Sequence, residues 1–398
     1  MGAEFEEIGH PGGTVTVHVE EADDRLCYSL EYSNSNPYGF KLISLYALPQ
    51  GVPLERVGVE GLGAQFAPPK VPGSYLIHLS SDREGMFGRT CFFCAGYWRS
   101  ADGPNVGSGC CAYCGRQPLS LALTARQRLY VQSVCELINH GLSSGPGFYR
   151  WSLDDLSTTP SDPSSQSFYL AEHRQQRHRL CLACGTGQDV LGGASYCCSC
   201  GTRDDRELLM EALDAARQRA RKGELPGALR DAVSATDSFV AILVSQLVAR
   251  VPMTSVRRAY WAGKNRPKHK FVETAERLDE HFGFKSKAAL TEPELLLAAK
   301  LVPRRHVHEH CGGIVDQDYL DQTGDNLRLG QMIREDQAEI FEFIGLMGKF
   351  SQAVMIGFHE LFPPSENAIA NGLKYGRVGK ANRAKTEKPN TLRPRDGH

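Results

Sequence analysis

Tyr196-Cys197-Cys198-Ser199-Cys200-Gly201-Thr202-Arg203-Asp204-Asp205-Arg206-Glu207-Leu208-Leu209-Met210 is where two kinds of sequence meet. Before it, cysteines, glycines and short β-prone runs dominate. Beyond Asp204 the glycines and cysteines thin out and apolar residues recur at helical spacing, a composition shift that marks a domain boundary. The expected fold class is therefore multidomain α+β, with an N-terminal β-rich region carrying two four-cysteine zinc sites and an all-α C-terminal half. A chain of 398 residues has room for roughly two to four such units.

Leftward of the boundary, Thr14-Val15-Thr16-Val17-His18-Val19 and Tyr75-Leu76-Ile77-His78-Leu79 alternate with Gly, Pro and Asn breaks, which places a small β-rich domain over 1–85. Thirteen cysteines follow a pattern that disulfide scaffolds do not need. Cys91-Phe92-Phe93-Cys94 pairs with Cys111-Ala112-Tyr113-Cys114 over 86–118, and Cys181-Leu182-Ala183-Cys184 pairs with Cys197-Cys198-Ser199-Cys200 within 119–203. Two residues between thiolates let one tight turn offer both sulfurs to a tetrahedral ion, and four thiolates close a structural Zn²⁺ site with no position left for a catalytic water. The expected ligands are Cys91, Cys94, Cys111 and Cys114, then Cys181, Cys184, Cys197 and Cys200. Substitution by Cys110 or Cys198, interlaced pairing, redox disulfides and unliganded core cysteines are the alternatives. Cys27 and Cys135 read as isolated buried thiols. Between the clusters, an amphipathic helix is expected from about Thr124 to His140, ended by Gly141, and the Ser/Pro-rich run Ser157 to Ser167 reads as a mobile linker.

Rightward, the periodicity predicts helices over about Arg206–Lys222, Pro226–Arg250, Thr291–Cys311 and Gln331–Leu361. Thr291 and Glu294 form a capping-box pattern, Pro303 should kink or interrupt its helix, and Phe362-Pro363-Pro364 stops the last. Four main helices over 204–362 suggest a bundle. Residues 363–398 read as a basic flexible tail, with Lys374, Arg377, Lys380, Arg383, Lys385, Lys388, Arg393 and Arg395 against Glu387 and Asp396.

Within the helical half lies Arg304-Arg305-His306-Val307-His308-Glu309-His310-Cys311-Gly312-Gly313-Ile314-Val315-Asp316. Arg305 and His310 are separated by four residues, the first polar, and glycines follow. This segment resembles the Arg-polar-x-x-x-His motif of HEPN domains, and Gly313-Ile314-Val315-Asp316 follows as in many prokaryotic members. The resemblance covers about 204–362 and includes the helix from Ala228 to Phe239. It implies a dimerising four-helix bundle that cleaves RNA without metal, with Arg305, His306 and His310 as catalytic residues and Asp237 as a possible supporting acid. His306 would orient Arg305 or His310. Use as a toxin or antiviral defence effector, with a neutralising or activating protein partner, follows from resemblance alone. The residue chemistry agrees: a histidine titrates near neutral pH and moves protons, and a guanidinium grips phosphate oxygens. Five positions apart on a helix, Arg305 and His310 point about 140° from each other, so two facing chains would focus both on one phosphate.

Two other readings compete. The helical half can be a non-catalytic dimerising or RNA-binding adaptor. It can also be a metal-dependent hydrolase using His306 and His310, which lie at i, i+4 but outside the His-Glu-x-x-His arrangement.

Charge is balanced, 45 basic against 46 acidic residues, so nucleic-acid contact must come from local patches. Arg257, Arg258, Lys264, Arg266, Lys268 and Lys270 run without an acidic residue and with Trp261 among them, and together with Arg304 they are the candidate RNA-binding residues. The acidic Met1–Glu7 start shows no secretory pattern, and the apolar run Phe239–Ala249 is too short for a bilayer, so a cytoplasmic protein with no membrane partner is expected.

Overall fold

A computed structural model describes residues 12–22, 25–33, 41–57, 68–82, 84–103, 109–117, 121–157, 177–191, 196–262 and 270–375. The expectations for 1–7, for the linker beyond Ser157, for Lys264, Arg266 and Lys268, and for the tail beyond Tyr375 lie outside these residues. The chain is mixed α+β and divides into two compact units, Met1–Thr202 with Ser365–His398, and Arg203–Pro364.

The first unit runs β1 (Thr14–Ala22), β2 (Arg25–Ser33), β3 (Leu42–Ala47), β4 (Pro53–Val57), β5 (Tyr75–Ser80), β6 (Phe87–Thr90), β7 (Tyr97–Ser100), α1 (Ala125–Ser143), β8 (Gly147–Ser152), β9 (Arg177–Leu180) and β10 (Gly187–Val190). These strands form three sheets, ordered β2-β1-β8, β4-β3-β5 and β6-β7-β10-β9. Alternation decides the inward faces. Val15, Val17 and Val19 of β1 meet Ile43 and Leu45 of β3, Ile77 and Leu79 of β5, and Val131, Val134, Cys135 and Ile138 of α1 in one core. Thr124 and Gln127 make a reciprocal capping box at the start of α1. Gly141 lies inside this helix rather than ending it. A Cβ there would press on Trp151 at 3.0 Å and Val17 at 3.3 Å, so the glycine is explained by helix-to-sheet approach. Cys135 is buried in the core, whereas Cys27 is exposed on β2.

The second unit holds α2 (Asp205–Arg221), α3 (Leu225–Arg250), α4 (Ser255–Ala262), α5 (Phe271–Phe282), α6 (Glu292–His310), α7 (Gln317–Thr323) and α8 (Gln337–Leu361). The long helices α2, α3, α6 and α8 pack on one another, and α5 packs on α6. Leu229, Val233 and Leu243 of α3 and Phe343, Met347 and Phe350 of α8 are buried. By length and composition alone α3 and α8 could cross a bilayer, a property shared by the core helices of soluble proteins.

Three further expectations change. Helix α6 continues through Pro303. Helix α8 begins at Gln337, where the Asp336 side chain accepts from the Glu339 N–H, and the segment before it pairs with the loop after α6 through Ile314 and Met332. Residues Glu366–Lys374, read as tail, form a ninth helix among the described residues, α9, whose N-cap Ser365 accepts from the Ala368 N–H. It belongs to the first unit.

Candidate functional site

The four Cys-x-x-Cys segments repeat one turn. The N–H of Cys91, Cys111, Cys181 and Cys197 donates to the carbonyl five residues on, and the residue four positions on donates back to each cysteine carbonyl. That fourth residue has positive φ in every case: Ala95 (55°), Gly115 (66°), Gly185 (73°) and Gly201 (78°). The turn leaves backbone N–H groups pointing at sulfur, as from Phe93 to Cys91 and Tyr113 to Cys111, both 3.3 Å.

The turns close locally into two quartets, Cys91, Cys94, Cys111, Cys114 and Cys181, Cys184, Cys197, Cys200. Sulfur separations are 3.7 Å (Cys91–Cys114), 3.6 Å (Cys94–Cys111), 3.7 Å (Cys181–Cys200) and 3.5 Å (Cys184–Cys197). Four sulfurs at about 2.3 Å from a tetrahedral ion lie about 3.8 Å apart, so both quartets fit a bound metal. Hydrogen bonding from Cys111 holds Cys114 down to about 5, and donation from Cys181 likewise lowers Cys184, while burial pushes Cys94 up to about 11. A bound cation would favour the thiolate form of the four sulfurs in each quartet. Cys110 and Cys198 are not ligands. The Cys110 thiol points at the Cys197 carbonyl, and its N–H donates to the Cys198 carbonyl.

The two cysteine-quartet segments are related by an internal pseudo-two-fold. In each, a hairpin carries the first turn (β6 and β7, then β9 and β10) and a second turn follows. Arg99 and Asp189 stand eight residues beyond Cys91 and Cys181, and they face each other across the central β7–β10 pair. The Cys110 N–H donates to the Cys198 carbonyl and the Tyr196 N–H to the Ala112 carbonyl, so the residue before the first cysteine of one turn bonds the residue after the first cysteine of the other, both ways. On this axis buried Arg99 bridges Asp82 (2.8 Å), Asp189 (2.6 Å) and Glu84 (3.0 Å).

The second quartet is covered. Ala368 and Ile369 of α9 pack on its cysteines, the Ser365 N–H donates to the Cys200 carbonyl at 2.7 Å, and a Cβ at Gly372 would meet the Cys184 carbonyl oxygen at 2.2 Å.

At the end of α6 the structure divides the Arg/His run. Arg304 and His308, four apart, share the face of Leu301, and both side chains are largely covered. Arg304 bonds Tyr319 (2.9 Å), Asp325 (2.8 Å) and Glu335 (2.9 Å), and His308 Nε2 lies 2.6 Å from the other Glu335 oxygen. This corrects the reading of Arg304 as RNA-binding: its charge is spent inside the fold. On the outer side Arg305 pairs with Glu309 at 3.1 Å, and the same Glu309 oxygen lies 3.9 Å from His310 Nε2. The rings of His306 and His310 lie 4.6 Å apart, and His310 is 62 % exposed. His306 is thus beside His310, while Glu309, which the spacing left unassigned, holds Arg305. The chain reverses after α6 through Gly312 (62°) and Gly313 (83°), a conformation glycine adopts without strain.

Asp237 is half-buried on α3, a helix that packs against α6. Arg257 and Arg258 are exposed on α4, and Lys270 is exposed beside Glu273 at 3.5 Å. Trp261 is not a stacking surface. It is 2 % exposed, and its Nε1 donates to His281 Nδ1 at 2.6 Å, while burial lowers the His281 pKa and so suits it to accept. Among the described residues the two cysteine quartets are the only convergent groups of three or more His, Cys, Asp or Glu ligands.

Fold and sites together define the class: a mixed α+β protein with two four-cysteine clusters in one unit and an arginine- and histidine-bearing helix end in the other. Compared with known proteins, the chain matches no family model, no curated protein and no solved structure. The HEPN resemblance therefore rests on the motif residues alone.

Proposed function

We propose that the helical unit is an HEPN-like, metal-independent endoribonuclease whose cleaving residues are Arg305, His306 and His310, that the two cysteine quartets hold structural zinc, and that the β-rich unit serves recognition. The observation that carries this reading is the division of one short run. Arg304 and His308 are locked to Glu335, while Arg305, His306, Glu309 and His310 form a connected, outward group on the same helix end. The buried Glu335 knot positions the turn; the outer group has the chemistry.

In the reaction proposed, the 2′-oxygen of RNA attacks its own phosphate and the bond to the 5′-oxygen breaks, leaving a 2′,3′-cyclic phosphate and a 5′-hydroxyl. One histidine takes the 2′-hydroxyl proton and another donates to the 5′-oxygen, each worth about 10²- to 10⁴-fold. Arg305, oriented by Glu309, carries the charge developing on the non-bridging oxygens. By resemblance a second copy of the chain would face this turn, and the four packed helices α2, α3, α6 and α8 would be the dimerising bundle. A cytoplasmic toxin or defence role belongs to the same reading.

The test incubates wild type, Arg305→Ala and His310→Ala with total RNA without added metal, with zinc content matched. Cleavage by wild type, reduced at least about 10²-fold in both variants and leaving cyclic or 3′-phosphate ends, is expected. Equal cleavage by all three overturns the assignment, and binding or dimerisation without cleavage favours the adaptor. A metal hydrolase needs a third ligand beside His306 and His310, which the described residues do not supply.

A further inference from the structure

The two middle residues of the first turn in the first quartet are Phe92 and Phe93. Both rings are exposed, at 56 % and 46 %. Their pseudo-symmetric counterparts are Leu182 and Ala183. Two adjacent phenylalanines held out in solvent do nothing for the core, and large exposed apolar side chains that come together mark contact surfaces.

Each ring has an arginine over it, and the two arginines come from separate segments. Arg116, just past the second turn, lies 5.1 Å from the Phe93 centroid, and Arg128, in the first turn of α1, lies 5.4 Å from that of Phe92. Among the described residues neither meets a carboxylate; Arg128 additionally donates to the Leu123 carbonyl. Residues 85–135 carry Arg89, Arg99, Arg116, Arg126 and Arg128 against Asp102 alone. Arg89 and Arg99 are buried, and Arg116 and Arg128 are the two that lie over the phenylalanine rings. The first turn of α1 has no acidic residue. Basic residues there oppose the helix dipole, an arrangement that an anion would relieve.

We propose that Phe92, Phe93, Arg116 and Arg128 form a platform for single-stranded nucleic acid, the rings stacking bases and the guanidinium groups holding phosphates. Aromatic faces accept any base, and arginine pairs with phosphate through a planar fork. The neighbouring rings and guanidinium groups present both chemistries at one place, as a chain of alternating bases and phosphates requires. A duplex, whose bases are already stacked, cannot use the rings. The platform concerns binding and stands whether or not α6 cuts RNA.

The test measures fluorescence anisotropy of a labelled single strand of about 12 nucleotides with the full chain, zinc content checked, each variant also made in a His310→Ala background so that cutting and binding are read apart. Phe92→Leu with Phe93→Leu keeps apolar bulk but removes the rings and should weaken binding about tenfold or more. Arg116→Gln and Arg128→Gln should each reduce the slope of log affinity against log salt by about one. Leu182→Ala, the symmetric control, should change affinity less than about twofold. Unchanged affinity in the double Leu variant with both metals retained overturns the proposal. So does equal binding of duplex, or binding only to an acidic polypeptide such as polyglutamate.

Discussion

The first and second cysteine quartets share one turn, one hairpin topology and one axis, yet they meet their surroundings differently. In the first, Cys94 is exposed and two phenylalanines stand in solvent. In the second, three of the four cysteines are buried, and α9 lies over them with Gly372 against the Cys184 backbone. A duplicated scaffold has thus been divided into an open copy and a capped copy. Zinc-type sites lend folding free energy outright, on the order of 10 kcal/mol or more, so a small fold can leave one copy free of packing duties. The capped copy carries those duties, because a helix depends on it.

The largest effect that separates the copies comes from ligand loss. Cys94→Ser and Cys184→Ser should each remove one metal per chain, measured by elemental analysis. Only Cys184→Ser should also free α9, read as rapid tryptic cutting at Lys374 and a far larger loss of thermal stability. Identical proteolysis in both variants would show that the cap is incidental. Next is Arg99→Met, which strikes the shared axis and should affect both copies together. It leaves Asp82 and Asp189 buried and unpaired, a cost of about 3–5 kcal/mol, visible in urea unfolding. Preservation of either copy's metal affinity would argue that the axis does not couple them.

Gly372→Val tests the cap without touching a ligand. Overpacking against the Cys184 backbone should cost about 1–3 kcal/mol and speed chelator removal of metal from the second quartet only. Equal removal rates before and after the substitution would sink this expectation.

What was legible in the sequence follows from how local each interaction is. Metal ligands two residues apart and helix signals such as Thr291 with Glu294, whose carboxylate accepts from the Thr291 N–H at 2.7 Å, are written within one turn of chain. The Arg304/His308 split was half-written: both fall on the face of Leu301, but their partners Asp325 and Glu335 arrive from a loop fixed by the Ile314–Met332 pairing, which no spacing announces. Trp261 sat in a charged run and read as a stacking ring. It is buried because α5, unread in the sequence, brings His281 and Phe282 against it. Likewise α9 has too short an apolar pattern to signal itself, and its place is set by shape against the Cys184 turn. The Arg99–Asp189 axis joins residues far apart in sequence, so only the register of β7 on β10 reveals it.

The smallest effect lies in the turn itself. At the position that takes positive φ, three of the four turns carry glycine and the first carries Ala95, the only non-glycine residue with positive φ among those described. An L-residue there bears roughly 1–2 kcal/mol of steric cost, against which glycine loses about 0.5–1 kcal/mol more chain entropy on folding. Ala95→Gly should therefore stabilise the open copy by about 0.5–1 kcal/mol, the difference of those two effects, and Gly185→Ala should destabilise the capped copy by a similar amount. Chelator competition resolves changes of that size because the metal reports the turn directly. If Ala95→Gly instead weakens metal binding, the alanine methyl makes a contact that outweighs its steric cost, and the open copy is specialised in its turn as well as in its surface.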